Sequence, residues 1–178
     1  MKNKILSDLQ IKKLVLTSIL SVFTCVSTMV IQIPSPMNGY LNLGDCMVLT
    51  DGVLLDPMFS WFAAGVGSML ADILSGYVYY APGTFVIKTA MVMEFRFLYV
   101  FSKKRLTSTI SFLLASIASE LTMVVGYFIY SALLLGNGLA AVSSIPGNLI
   151  QGIFGIITSF LLFKVLEKNE VKNNLMNP

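Results

Sequence analysis

The sequence has no histidine and only two cysteines, Cys25 and Cys46. Without histidine there is no Ser-His-Asp or Cys-His nucleophile pair, no intramembrane protease of the Ser-His type and no His-rich metal capture. Two cysteines cannot build a zinc cluster or a disulfide framework, and free cysteines are commonly buried packing residues. The chain therefore reads as neither an enzyme nor a metal or cofactor carrier, with hydrolysis by an acid pair the one catalytic arrangement left open. A G-x-x-x-x-G-K-[ST] phosphate cradle is also missing, so the chain cannot drive work by its own ATP hydrolysis. Charge is scarce too: 12% of residues are Asp, Glu, Lys or Arg, about half the quarter usual in soluble domains.

What fills the sequence instead is apolar. Hydrophobic residues make up 56% of the 178, and the mean hydropathy is +0.80. A water-soluble fold of this composition would expose aggregation-prone patches, so lipid is the expected solvent. The fold class expected is an all-α integral membrane protein, one membrane domain over residues 1–178, with six transmembrane helices near 14–31, 44–56, 57–77, 84–101, 107–135 and 147–166. The basic start, Lys2 to Lys13, precedes an apolar run too long for a signal peptide and without an Ala-x-Ala site, so that run is read as the first span. Pro34 and Pro36 stop it; Pro57 opens the third span; SKKR and GNG end the fourth and fifth. Placing the N- and C-termini in the cytoplasm puts ten of the twelve basic residues on that side and none in the outer loops 32–43, 78–83 and 136–146, as the positive-inside bias requires. The location expected is the bacterial cytoplasmic membrane.

Polar residues inside such segments are costly, by about 2.5–3.5 kcal/mol for a charge at the helix centre. Counting ~1.5 Å per residue from the cytoplasmic ends puts Asp72 roughly 22 Å and Glu120 ~20 Å up. Asp45, Lys88, Asn148 and Gln151 fall at a similar outer level. Charges and amides from five helices at one depth are predicted to line a pocket for a polar small molecule, open to the outside. Tyr80 and Tyr127 could stack on a ring, and Asn38, Tyr40 and Asn42 of the first outer loop could close over it. The alternatives are plain: Asp45 and Asn148 as helix caps, Asp72 with Lys88 as a structural ion pair, the tyrosines as an interfacial belt. Glu94 and Arg96, two apart, need partners on other helices; Asp51 has no evident role. Thr17, Ser21 and Cys25 form a small-residue stripe that suits internal packing or docking to a partner subunit.

The block from Tyr40 to Met91 resembles the substrate-binding (S) components of energy-coupling factor transporters. The resemblance rests on Asn42-Leu43-Gly44-Asp45, on Ala64-Gly65-x-Gly67-Ser68 with Ala71-Asp72, on Gly76-Tyr77 and on Tyr80-Ala81-Pro82 through Lys88. The stretch Gly126 to Gly152 is similar as well, and together these cover about residues 33–165. The resemblance implies a subunit that captures a water-soluble vitamin outside and associates with a transmembrane coupling (T) subunit and two cytoplasmic ATPases. Within the family the pattern is most similar to members for hydroxymethylpyrimidine or pyridoxine, with riboflavin and pantothenate as alternatives. A stand-alone proton-coupled carrier using Glu120, Glu94 or Asp72 is the competing class. Three departures stand out: Thr17-xxx-Ser21-xxx-Cys25 replaces an Ala-xxx-Ala docking motif, Asp51 and Asp56 bring charge, and Ser131 stands where an acidic residue is expected.

Overall fold

The computed structural model describes residues 8–35 and 39–169. Six α-helices account for most of it: α1 (Asp8–Val30), α2 (Gly44–Leu54), α3 (Pro57–Leu74), α4 (Ala81–Ser102), α5 (Ser108–Ile129) and α6 (Ile145–Lys168). A π-helical turn (Tyr130–Leu134) and a 3-10 segment (Gly138–Ser144) join α5 to α6. The all-α expectation needs one amendment. Between α1 and α2, β1 (Ile33–Ser35) pairs antiparallel with β2 (Gly39–Leu41), Pro34 opposite Tyr40. Pro34 ends the helical run and is tolerated because a two-stranded hairpin consists only of edges.

The long helices pack in the order α1, α3, α4, α5, α6, and α2 lies against α1, α3, α4 and α6, closing the ring from inside. At 11 residues, α2 extends ~16 Å, about half the ~30 Å hydrocarbon core. It is not the full span expected at 44–56. Nearly every one of its residues is buried, the pattern of a helix that meets protein on all sides. α1, α3, α5 and α6 lie in stretches long and apolar enough to cross a membrane. α4 has the length, at 22 residues, but carries Lys88, Glu94 and Arg96.

The polarity is inverted relative to a water-soluble fold. Leu14, Val22, Phe23, Phe62, Val86, Phe97, Leu121 and Phe154 face outward, whereas Asp45, Asp51, Asp72, Lys88, Glu120 and many Ser and Thr are buried. Exposed apolar surface of this extent requires lipid. Interior hydroxyls are satisfied locally: Thr17, Thr24, Thr28, Thr50 and Ser116 each donate to the carbonyl four residues back, as helical Ser and Thr can. Thr24 also donates to Asp51 Oδ2 at 3.0 Å, which gives Asp51 a partner on α1. Arg96 donates to the carbonyls of Gly52 and Leu55, a cation placed where the C-terminal end of α2 is electronegative. Glu94 accepts from Thr122 on α5. Asp56 bonds Lys13 at 2.6 Å and lies 3.8 Å from Arg96, so the charge that looks anomalous in sequence ties α1, α3 and α4 together at one end.

The stripe on α1 is consumed within the chain. Thr17, Ser21 and Cys25 are all buried, and a Cβ added at Gly67 of α3 would lie 2.5 Å from the Ser21 carbonyl oxygen. Glycine is what lets α1 and α3 touch backbone to backbone. The three side chains are thus turned into the bundle, the packing alternative for this stripe. Gly67→Val should separate the two helices at an overpacking cost of about 1–3 kcal/mol, lowering the melting midpoint by roughly 2–4 °C per kcal/mol. Thermal denaturation in detergent checks this; an unchanged midpoint would contradict the close approach.

Candidate functional site

At the end of the bundle where α4 and α6 begin, the hairpin covers a small cavity with about 40 Å³ of free space. Its wall is formed by Ser35, Gly39 and Tyr40 of the hairpin, Asn42, Asp72 of α3, Tyr80 and Thr84 at the start of α4, Tyr127 of α5, Ser131 of the π-helical turn, and Ser144, Asn148 and Gln151 at the start of α6. Of the residues expected from sequence, Tyr40, Asn42, Asp72, Tyr80, Tyr127, Asn148 and Gln151 line it. Asn38 lies outside the described residues. Ser35, Thr84, Ser131 and Ser144 were not among the expected site residues. Thr84 could have been found, since it stands four residues before Lys88 on the same helical face.

The tyrosines form a partly closed aromatic wall. Tyr80 stands 6.5 Å from Tyr127 and 6.1 Å from Tyr130, and Tyr40 lies 4.5 Å from Tyr77. These separations are those of interacting aromatic pairs, so the rings hold one another in place. Tyr40 donates to Asp72 Oδ1 at 2.7 Å. Burial, reinforced by the Asp72 carboxyl beside it, pushes the Tyr40 phenol well above its ordinary pKa, so its proton stays in that bond at physiological pH. The other carboxyl oxygen, Asp72 Oδ2, has no hydrogen-bond partner among the described residues. Thr84, near enough to interact with this carboxyl, shares a 3.0 Å bond with the Tyr127 hydroxyl. Ser131 accepts from Asn137 at 2.9 Å.

Beneath the cavity sits a buried ionic floor. Lys88 pairs with Asp45 Oδ1, both essentially without solvent contact, and its ammonium lies 5.5 Å from the Tyr127 ring centre. Asp45 Oδ2 accepts from Gln151 Nε2 at 2.6 Å. Gln151 Oε1 in turn accepts from the Asn42 backbone N–H at 3.0 Å. A single side chain thus bridges the ion pair to the strand that covers the pocket. Glu120 is buried beside the pair with both carboxyl oxygens unpartnered among the described residues, and it faces Gly152 and Gly155 of α6, which leave it room. Asp45, Lys88 and Glu120 therefore form the floor and do not line the cavity. Two alternatives from the sequence are corrected here. Lys88 bonds Asp45 and not Asp72, because Asp72 is turned toward Tyr40. Neither Asp45 nor Asn148 caps a helix: the N-cap positions are Leu43 and Ser144, and the Gly44 N–H that opens α2 donates to Asn42 Oδ1 at 2.9 Å.

Breaking a buried ion pair from one side leaves an uncompensated charge, a loss of about 3–5 kcal/mol. Lys88→Met is expected to show a loss of that size in thermal melts, and Lys88→Met with Asp45→Asn to recover at least half. A single variant that melts like the natural protein would remove the pair from the structural account.

Comparison with known proteins follows the same lines. Residues 8–168 match the family model described as ECF-type riboflavin transporter, S component. A relative from Pyrococcus woesei, described as an uncharacterized protein in gap 3'region, is 38% identical over 145 residues, covering 80% of this chain and 93% of that one. The fold is similar to a solved structure described as the S component of a bacterial ECF transporter, with a TM-score of 0.72 and 24% identity over 89% of this chain and 97% of that one. The family is a class of transporter binding subunits and not a class of enzymes. With the inverted polarity, the apolar helices and a family match along most of its length, this chain is a multi-pass membrane protein that belongs to the S components, the substrate-binding subunits of energy-coupling factor transporters.

Proposed function

We propose that the chain captures a hydroxylated heteroaromatic vitamin, or its precursor, at the outer face of the cell membrane and delivers it inward with a T subunit and two cytoplasmic ATPases. The observation that carries this is the unspent chemistry of the cavity. Asp72 Oδ2 has no donor, and the Asn148 side chain makes no hydrogen bond to a described residue, while tyrosines stand around both. A flat ring can slide between aromatic walls, an N–H or O–H of the ligand can satisfy the carboxyl oxygen, and the amide can both donate and accept.

The free space is small beside the ~300–1,000 Å³ of ordinary ligand pockets, so entry requires Tyr40 to release Asp72 and the hairpin to shift. A single-ring pyridine or pyrimidine alcohol, pyridoxine or hydroxymethylpyrimidine, needs the least opening and carries suitable donors. Riboflavin is the second reading, favoured by the description of the matching family; its ring N–H and side-chain hydroxyls present the same groups on a larger body. In either case the membrane topology proposed is six crossings, the hairpin with α2 counting as one, with both termini cytoplasmic and the cavity opening outward. The basic residues at the far end of the bundle support that orientation. Asp45 and Lys88 then act on the ligand through Gln151.

Calorimetric titration of the detergent-solubilised protein with pyridoxine, hydroxymethylpyrimidine, riboflavin and pantothenate tests the reading. Tightest binding is expected for a single-ring alcohol. Tightest binding of riboflavin would overturn the ring-size argument and keep the aromatic pocket, whereas selective binding of pantothenate, which has no ring, would overturn the pocket argument itself. Asp72→Asn should weaken the preferred ligand at least about tenfold, ~1.4 kcal/mol, in a protein that still melts cooperatively. Unchanged affinity in that variant would take Asp72 out of the site.

A further inference from the structure

At the end of the bundle away from the cavity, α3 and α4 leave an open groove of about 420 Å³. Trp61, Met93, Phe97 and Phe101 form its apolar walls, and Arg96 and Lys104 its polar edge. Met93, Phe97 and Phe101 remain exposed, the last two stack on each other 6.1 Å apart, and no described residue covers them. From Met93 to Lys104 the groove runs roughly 16 Å along α4 and the turn that follows. Arg96, near the Met93 end, is already bonded to the carbonyls of Gly52 and Leu55, so the uncommitted charge of the groove lies at the Lys104 end.

The basic end has charge to spare. Lys103, Lys104 and Arg105 form an exposed turn after α4; Lys103 lies over the Tyr99 ring at 5.5 Å and near Glu167, whereas Lys104 and Arg105 make no ion pair with a carboxylate among the described residues. The carboxylate at the groove mouth, Asp56, is already bonded to Lys13 and close to Arg96. An amphipathic partner helix would bring bulky side chains at regular intervals and want small residues opposite them; this groove offers aromatic rings instead. An occupant with one long apolar part and a single anionic end matches both features.

We propose that this groove holds an acyl chain of an anionic phospholipid, with its phosphate against Lys104 and the adjoining basic turn. Unpaired cations where transmembrane helices meet the cytoplasmic surface attract anionic headgroups. The proposal rests on α3 and α4 crossing the membrane and is independent of which vitamin the outer cavity takes.

Native mass spectrometry of the full chain in detergent, titrated with phosphatidylglycerol or phosphatidylcholine of the same acyl composition, tests it. Retention of phosphatidylglycerol should exceed that of phosphatidylcholine, and Lys104→Gln should cut the excess by about fivefold, the attraction of one cation near the surface. Lys164→Gln, a cation on α6 outside the groove, should leave the excess unchanged. Vitamin binding retained by Lys104→Gln shows that the variant is folded and separates failure here from failure at the outer site. Equal retention of the two lipids, or an excess that Lys104→Gln does not reduce, would overturn the proposal.

Discussion

The bond between Lys88 and Asp45 is the constraint from which most of the interior follows. A lysine and an aspartate this deep in an apolar bundle persist only as a pair with their remaining hydrogen bonds filled. Filling them recruits Gln151 from α6, and Gln151 in turn holds the backbone of Asn42. Three helices and the covering strand are therefore set by one charge pair. α2 owes its position to the same bond at its first turn and to Arg96 at its last, which is how so short a helix is held among the longer ones.

Much of this was legible in the sequence, for a simple reason. In lipid the apolar runs must be continuous and the turns must be polar or contain Gly and Pro, so Pro57, the basic turn after α4 and the GNG before α6 marked their boundaries well. The hairpin was not legible, because strands of three residues are too short to show alternation and Pro34 argues against a strand. The expected segment 44–56 runs two residues past the end of α2, because Leu55 is extended and Asp56 already leads into α3.

The site was readable to a similar degree. Tyr40, Asn42, Asp72, Asn148 and Gln151 stood out because amides, carboxylates and phenols at such positions are conspicuous. Thr84, Ser131 and Ser144 did not, since hydroxyls in membrane helices commonly bond their own backbone and carry no signal of direction. Pairing was the hardest part. Whether Lys88 meets Asp45 or Asp72 depends on helix rotation by a few tens of degrees, and spacing along a chain carries no such information.

The hydroxyl of Tyr40 has one further implication. By donating to Asp72 it occupies one oxygen of the carboxyl that the proposed solute would address, so the protein half satisfies that carboxyl with a group of its own. A solute able to offer donors in the same place exchanges one bond for another and gains by its ring contacts. One that cannot would strip Asp72 of its bond to Tyr40 and leave a buried carboxyl under-satisfied, a penalty of the kind that lets polar sites reject near-analogues. Discrimination would then reside less in the fit of the walls than in what must be given up to enter.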